Sequence, residues 1–132
     1  MTVEQQVERK LWEAQPPACH FWPYLRAVPL PDQDPLELLV AWQEGRCAGC
    51  GHPFHAEAVI DHCHESGLVR GLLCTLCNNA EGTAPPQHPR WFRYRTLPPT
   101  LILGLHLPYQ RPVRRRLAQL LDRDQELAAQ QR

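Results

Sequence analysis

Residues 59–82 have the sequence VIDHCHESGLVRGLLCTLCNNAEG, the densest concentration of Cys, His, Asp and Asn in the chain. Residues 58–64 alternate and are β-prone, and after a Glu-Ser-Gly turn signal residues 68–74 favour a returning strand. The rest of the segment contains neither Pro nor Gly before Gly82, which favours a short helix with a glycine stop. The segment therefore predicts a β-hairpin followed directly by a helix.

Two C-x-x-C pairs at equal spacing accompany this hairpin. Structural zinc takes four ligands in a tetrahedron, and each such pair presents two thiolates to one ion. The predicted zinc ligands are Cys47, Cys50, Cys74 and Cys77. His52, His55 and Cys63 are close enough in sequence to be substitute ligands, although four thiolates already saturate the ion. Zinc here would contribute roughly 10 kcal/mol to folding, comparable with the whole stability of a small domain.

The composition favours one modest domain in a reducing compartment. The chain has 132 residues, and its cysteines cluster as metal ligands do rather than as a disulfide framework. The N-terminus has no apolar secretion signal, and the longest apolar stretch, residues 101–107, is too short to cross a bilayer. We therefore expect a soluble protein with no membrane partner.

The formal net charge is zero, but the positive charge is concentrated in one part of the chain. Residues 70–116 contain eight arginines and a single acid, Glu81. Guanidinium groups suit bidentate contacts with phosphate. This distribution favours contact with a nucleic-acid backbone, although a GC-rich genome would also favour arginine over lysine.

Helix signals lie on both sides of the hairpin. Thr2 begins a capping box for a helix that ends near Ala14, and Asp34 caps a second helix over residues 36–43. Residues 113–131 predict a polar, amphipathic helix. Proline-rich connectors join these helices to the centre.

The elements group into three predicted segments. Residues 1–44 form an N-terminal helical extension, and residues 45–83 form a zinc-stapled core. Residues 84–132 form a connector rich in Pro and Arg, followed by the C-terminal helix. The C-terminal helix could pair with a second chain as a homodimer or pack on its own core.

The central segment resembles the core of the recombination endonuclease VII family. That family carries a D-H-x-H motif, a V-R-G-L-L-C strand and C-x-x-C-N, which residues 59–82 match, and the resemblance covers about residues 45–83. It implies an α+β fold with a ββα-metal (His-Me finger, HNH-like) core. It also implies a metal-dependent DNA endonuclease.

The resemblance implies roles for five side chains. His62 would be the general base, Asp61 and Asn78 would hold the catalytic metal, His64 would support phosphate binding or the metal, and Glu81 would help at the metal. The chemistry agrees, because phosphodiester cleavage needs a base and a divalent cation. Carboxylate and amide oxygens suit Mg²⁺ or Mn²⁺, and an imidazole is largely neutral near pH 7.

Adjacent residues on a regular strand point to opposite faces, so the hairpin must twist or bulge for Asp61 and His62 to converge. Several alternatives stay open. Asp61 and His62 could be a buried hydrogen-bonded pair, and His64 could serve only to position its neighbours. Asn78 could cap a helix or lie at the surface. Arg70 could contact phosphate or pair with an acid.

Glu81 and Cys63 carry weaker expectations. Glu81 could be an ordinary solvated helix carboxylate. Cys63 stands where some family members have an acid, and on a regular strand its side chain alternates away from His62 and His64.

The predicted function is hydrolysis of DNA, selective for structure rather than sequence, either on branched DNA such as Holliday junctions or as a nickase. The expected location is the cytoplasm of a bacterium or a phage-infected cell. A non-catalytic zinc module that binds DNA or protein is the main alternative. A second alternative keeps the nuclease activity but makes the zinc catalytic.

Overall fold

The computed structural model describes residues 2–23, 34–55 and 57–130. These ranges contain a mixture of helices and one small antiparallel sheet. The elements are α1 (Val3–Ala14), a 3-10 helix (Ala18–Phe21), α2 (Pro35–Gln43), β1 (Ala58–His62), β2 (Val69–Cys74), α3 (Thr75–Thr83), α4 (Pro89–Thr96), α5 (Pro99–Leu103) and α6 (Arg111–Gln130). The α+β class predicted from the sequence is confirmed, and the order strand, strand, helix lies where the hairpin was expected.

The hairpin has a break in its register. β1 and β2 pair regularly from Ala58 opposite Cys74 to Asp61 opposite Gly71, and His62 then pairs with Val69. This shift between Asp61 and His62 is the irregularity that the sequence required. The extra residue is Arg70 on β2, and a bulge of this kind bends its strand and increases the local twist of the hairpin.

Helix α3 follows β2 without a loop. The Cys74 side chain accepts a hydrogen bond from the backbone N–H of Cys77 at 3.4 Å and caps the first turn. The predicted stop at Gly82 is wrong, because α3 continues to Thr83. The physical stop is the Pro85-Pro86 pair, since a residue that precedes proline is disfavoured in the helical region and Ala84 is extended.

The two helices near the N-terminus begin where the sequence predicts. Thr2 and Gln5 form the capping box of α1. Asp34 accepts a hydrogen bond from the Leu36 N–H at 2.9 Å, with proline at the first helical position of α2. Of the connector between these helices, residues 24–33 lie outside the described residues.

The stretch after α3 differs from the prediction of a proline-rich connector. It contains two helices, α4 and α5, each with proline in its first turn. Proline is compatible with that position because its missing N–H has no partner there in any helix. The aromatic side chains of Trp91 and Tyr94 on α4 are buried, and this burial holds the segment against the hairpin.

The buried apolar residues form two clusters on either side of β2. The first joins α2, the hairpin, α5 and α6, with Leu36, Leu39, Val40, Ile60, Val69, Leu72, Leu103, Leu105, Leu107 and Leu117. The second surrounds the cysteine pairs, with Cys19, Cys47, Ala48, Leu73, Cys77, Trp91, Tyr94 and Ile102. The site described below therefore rests on a hairpin that is packed from both sides.

The two flanking segments pack against each other. α1 contacts α4, and α6 contacts α2, so elements distant in sequence meet. The apolar residues Leu117, Leu120 and Leu121 of α6 pack on the first cluster of their own chain. The boundaries 1–44, 45–83 and 84–132 stay a prediction. In the described ranges, no helix is both long enough and apolar enough to span a membrane.

Candidate metal centre and active-site pocket

Four cysteine sulfurs converge between the start of α3 and the loop after α2. The Sγ atoms of Cys47, Cys50, Cys74 and Cys77 all lie within 4.8 Å of one another. Zinc–sulfur bonds of about 2.3 Å in a tetrahedron place sulfurs about 3.8 Å apart, so the cluster fits one zinc ion with little adjustment. The six cysteines are all free of disulfides. His52, His55 and Cys63 do not join this cluster among the residues described.

Hydrogen bonds prepare the cluster for ionised sulfur. The Cys47 Sγ accepts from the backbone N–H groups of Gly49 at 3.4 Å and Cys74 at 3.2 Å. A hydrogen bond from the Cys77 thiol and these backbone N–H groups lower the pKa of Cys47 to about 5. Burial raises the pKa of Cys50 to about 11, and the hydrogen bond to Cys47 raises the pKa of Cys77. Neighbouring thiolates repel one another, so a bound cation is what allows all four to ionise.

The N-terminal segment is fastened to the first cysteine pair. The backbone N–H groups of Ala18 and Cys19 donate to the carbonyls of Gly49 and Ala48 at 2.9 and 3.0 Å. Burial raises the pKa of the Cys19 thiol to about 12, so it stays protonated. A Cβ on Gly49 would lie 2.8 Å from the Trp91 ring, so this close contact requires glycine.

A pocket of about 650 Å³ lies between the hairpin, α3 and α6. It brings together all five residues that the family resemblance points to for catalysis and its metal. Those residues are Asp61, His62, His64, Asn78 and Glu81. Side chains of the C-terminal segment, Tyr109, Arg114 and Asp122, form part of the same wall.

Asp61 is buried and held by three donors. Arg70 donates from Nε to Oδ2 at 2.8 Å and from Nη2 to Oδ1 at 2.9 Å, and the Tyr94 hydroxyl donates to Oδ2 at 2.9 Å. Burial raises the pKa of the Asp61 carboxyl, and the bonds from Arg70 and Tyr94 oppose that rise. The alternative of a hydrogen-bonded Asp61–His62 pair is therefore wrong, because the hydrogen bonds to the Asp61 carboxylate come from Arg70 and Tyr94 and not from His62.

Glu81 is also buried, at 7% exposure, so the alternative of a solvated helix carboxylate is wrong. Its Oε1 accepts from Arg70 Nη2 at 3.0 Å and from Arg95 Nε at 2.7 Å. Arg70 thus bridges Asp61 and Glu81, which decides between the two roles that its sequence position left open. The role of Glu81 at a metal stays a prediction.

His62 and His64 lie at the end of the hairpin. Their ring centroids are 4.9 Å apart with an angle of 45° between the planes. Cys63, between them, interacts with Ser66 in the turn, and this hydrogen bond is the largest cause that lowers the pKa of its thiol. Cys63 does not line the pocket, and it lies just after β1, which ends at His62, so the alternation expected for a regular strand does not apply to it.

The oxygen donors of the pocket fit a hard cation. Asn78 lies inside α3, where Cys74 is the cap, so Asn78 is not a helix cap, and it lines the pocket. A carboxylate has about four lone-pair sites, and the bonds from Arg70 and Tyr94 leave one of these on Oδ1 of Asp61. One carboxylate and one carboxamide suit an Mg²⁺ or Mn²⁺ ion that keeps most of its shell for water and phosphate.

Most arginines of the basic stretch are engaged within the chain. Arg90 is buried and donates to the carbonyls of Trp12, Gln15 and Gly49, at the end of α1 and the first cysteine pair. Arg116 pairs with Asp34 and Glu37. These arginines connect elements of the fold. The prediction that the arginine-rich half contacts a nucleic-acid backbone therefore applies to fewer residues. Arg114 is exposed on α6 and lines the pocket.

Sequence reasoning missed four residues of the site. Tyr94 and Arg95 hold the two buried carboxylates from α4, and Tyr109 and Arg114 reach the pocket from the C-terminal segment. The only sequence signal was the presence of aromatic and basic residues in the supposed connector. Nothing in their spacing indicated which of them would face the hairpin.

Comparison with known proteins identifies the family of the chain. No solved structure matches the chain. The "Gene 59 protein" of Mycobacterium phage D29 and that of Mycobacterium phage L5 are each 46% identical over 39 residues, which is 28% of this chain and 24% of each relative. The match thus spans about a quarter of the length of those relatives. The model of the recombination endonuclease VII family matches residues 25–97, more than half of the 132 residues. The chain therefore belongs to the recombination endonuclease VII family.

Proposed function

We propose that the chain is a metal-dependent DNA endonuclease of the ββα-metal (His-Me finger) kind. In this proposal His62 activates water, while Asp61 and Asn78 hold one divalent cation. The observation that carries it is the convergence of Asp61, His62, His64, Asn78 and Glu81 on one pocket beside a bulged hairpin. Family membership supports the same reaction class.

In the proposed reaction, His62 takes the first proton and solvent supplies the second. The neutral imidazole of His62 accepts a proton from water as the water oxygen bonds to phosphorus. The bond from phosphorus to the leaving sugar oxygen then breaks, and that oxygen takes up a proton from solvent. His64 is exposed at the same end of the hairpin and lines the pocket, and in this proposal it contacts the phosphate.

Asp61 and Asn78 are the proposed protein ligands of the cation. A divalent ion bound there would stabilise the negative charge that develops on the phosphate and on the leaving oxygen. Arg70 and Tyr94 keep the Asp61 carboxylate in one orientation, which is the usual role of groups behind a metal ligand.

We assign the zinc a structural role. Four thiolates fill a tetrahedral shell and leave no position for water or substrate, whereas catalytic zinc keeps one position open. The cluster also lies outside the wall of the pocket that holds the histidines. Both points support a structural zinc ion that is separate from the proposed catalytic cation.

The choice of DNA substrate is also part of the proposal. We expect selection by DNA structure, on branched DNA or as a nickase, in the cytoplasm of a bacterium or a phage-infected cell. Dimerisation through α6 stays a prediction, and any dimer contact must use the face that does not already cover α2. Cleavage of a four-way junction, a linear duplex and a single strand, compared at equal concentration, would rank these substrates.

The test is nicking of supercoiled plasmid with Mg²⁺ or Mn²⁺ by the zinc-loaded full chain. His62→Ala should lower the nicking rate by about 100-fold or more, because it removes the general base. His106→Ala is the matched control, since His106 is exposed and does not line the pocket. Zinc content is measured on every sample, to show that the fold is retained.

Two outcomes would overturn the proposal. Nicking by His62→Ala at the rate of the control removes His62 from the role of base. A zinc-loaded wild type that binds DNA but does not nick it with either cation would favour the non-catalytic zinc module. Cleavage that survives removal of every divalent ion except the zinc would instead make the zinc catalytic.

A further inference from the structure

The C-terminal segment contributes an aromatic ring to the pocket from outside the family match. Tyr109 lies beyond residues 25–97. Its backbone N–H donates to the Gly67 carbonyl at 2.8 Å, and the Val69 N–H donates to the Leu107 carbonyl at 2.8 Å. The backbone around Tyr109 is thus fixed to the turn and to the first residue of β2, independently of the tyrosine side chain.

The tyrosine ring lies flat on the proposed base. The ring centroids of Tyr109 and His62 are 4.0 Å apart, and the planes differ by 3°. The nitrogens of an imidazole point outwards in the plane of the ring. A partner stacked on its face therefore fixes the tilt and position of the ring while both nitrogens stay free for proton transfer.

This contact replaces the restraint that a catalytic histidine usually has. A hydrogen bond to the second ring nitrogen normally orients the imidazole. Among residues 2–23, 34–55 and 57–130, the ring contacts of His62 are those with Tyr109 and His64, and no hydrogen bond to its ring nitrogens is found. The parallel contact with Tyr109 is the closer of the two and the better restraint.

We propose that Tyr109 is a positioning residue that holds the His62 imidazole on the pocket wall by stacking. The inference rests on the proposed endonuclease activity and deepens it. Removal of the ring leaves the imidazole able to rotate, so fewer molecules present the base correctly at any moment. Substrate binding by other groups is unaffected, so the loss falls on kcat rather than on KM.

The test compares Tyr109→Leu with Tyr109→Phe in the zinc-loaded full chain. Leu keeps an apolar side chain at the edge of the core but removes the ring, whereas Phe keeps the ring and removes only the hydroxyl. We expect Tyr109→Leu to lower kcat for plasmid nicking by about 10- to 100-fold with KM within about twofold, since a misplaced catalytic group has effects of this size. Tyr109→Phe should stay within about threefold of wild type in both constants.

A second readout does not depend on catalysis. In NMR spectra, a ring stacked on His62 shifts the His62 ring protons upfield. Tyr109→Leu should abolish that shift and Tyr109→Phe should retain it, with His62→Gln used to assign the signals. Phe92→Leu is the matched control, because Phe92 is an exposed aromatic residue on α4 that does not line the pocket.

The results separate the two proposals. A normal kcat in Tyr109→Leu, or an equal loss in Tyr109→Phe, overturns the positioning role. A lower melting temperature in Tyr109→Leu with unchanged kcat shows that the ring only stabilises the fold, and also overturns it. A wild type that shows the upfield shift but cuts no DNA overturns the endonuclease proposal while leaving the stacked pair in place.

Discussion

The Asp61 carboxylate combines two demands that normally conflict. It is buried, which disfavours its charged form, yet its proposed role as a metal ligand requires it to be ionised. Bonds from Arg70 and Tyr94 compensate for the lost solvent and also fix the carboxylate plane. Arg70 also pairs with Glu81. The buried charged groups of the pocket therefore form one network, in which no single pair acts alone.

Among single residues, Arg114 is the one whose role in DNA binding is easiest to test separately. It is exposed on α6 and lines the pocket, and Arg115 beside it is exposed but does not line it. We predict that Arg114→Ala raises KM for DNA several-fold and lowers the salt slope of binding by about one, as expected for one lost phosphate contact. Binding titrations at several salt concentrations measure this, with Arg115→Ala as the matched control.

If the two variants changed KM and the salt slope equally, Arg114 would have no special contact with phosphate. If neither changed them, DNA would not approach the pocket past α6.

The residue types of the site could be predicted from the sequence, because they lie in one short segment that also builds the hairpin. Asp61, His62 and Asn78 are examples. The groups that hold them could not be predicted. Tyr94, Arg95 and Tyr109 come from distant segments, and only tertiary packing brings them to the hairpin.

Among the elements, the hairpin and α3 have the greatest influence on the site. The bulge on β2 opposite Asp61 and His62 twists the hairpin beside the pocket, and α3 places Asn78 and Glu81 one turn apart on the facing wall. Helix α5 supports β2 from behind. At Gly71 a Cβ would lie 2.7 Å from Pro99 Cγ and 2.9 Å from Pro99 Cδ, so α5 packs directly on the strand backbone.

This close packing gives a stability prediction with an internal control. Gly71→Ala should lower the free energy of unfolding by about 1–3 kcal/mol, because the added methyl overpacks the contact with a rigid proline. Gly82→Ala should raise it by about 0.5–1 kcal/mol, since Gly82 lies in the last turn of α3 without a positive φ and a Cβ there meets nothing within 4 Å. Denaturant unfolding of the zinc-loaded protein measures both.

Equal effects of the two substitutions would show that the contact of α5 with β2 is not tight. A stabilised Gly71→Ala variant would show the same more strongly.

A helix or strand could be predicted where its start and end are marked by residues close by in the sequence. The hairpin, α1 and α2 have caps, alternation and turn residues that act locally, and they begin where expected. In residues 84–110, prolines at Pro89 and Pro99 start helices instead of preventing them. Proline composition alone does not distinguish a connector from a helix start, because the difference depends on what the next turn buries.

Across the whole molecule, the cysteine cluster joins segments that are far apart in the chain. The backbone carbonyls between Cys47 and Cys50 accept hydrogen bonds from the 3-10 helix and, at Gly49, from Arg90. The second cysteine pair lies at the start of α3. The two apolar clusters meet at β2, which ends in Cys74. Loss of zinc from this cluster should therefore affect both the N-terminal helix and the β1–β2 hairpin.

We predict that removal of zinc by a strong thiol-directed chelator unfolds the chain. The loss should amount to roughly 10 kcal/mol, as for other structural zinc sites. Circular dichroism and the melting temperature measure the change, and restored zinc should reverse it. As the control, EDTA treatment that removes only weakly bound cations should abolish nicking and leave the melting temperature unchanged. A zinc-free chain with the native melting temperature would refute the structural role.

The claim on which the proposed function depends is that Asp61, His62 and Asn78 surround one hard cation. The most direct test is titration of the zinc-loaded protein with Mn²⁺, followed through the histidine ring signals in NMR spectra, because this paramagnetic ion broadens nearby protons. We predict that Mn²⁺ broadens the His62 and His64 signals first, leaves those of His20 at the 3-10 helix sharp, and has no such effect in Asn78→Ala. His62 signals that stay sharp while Mn²⁺ is bound, or equal broadening of His62 and His20, would contradict the claim.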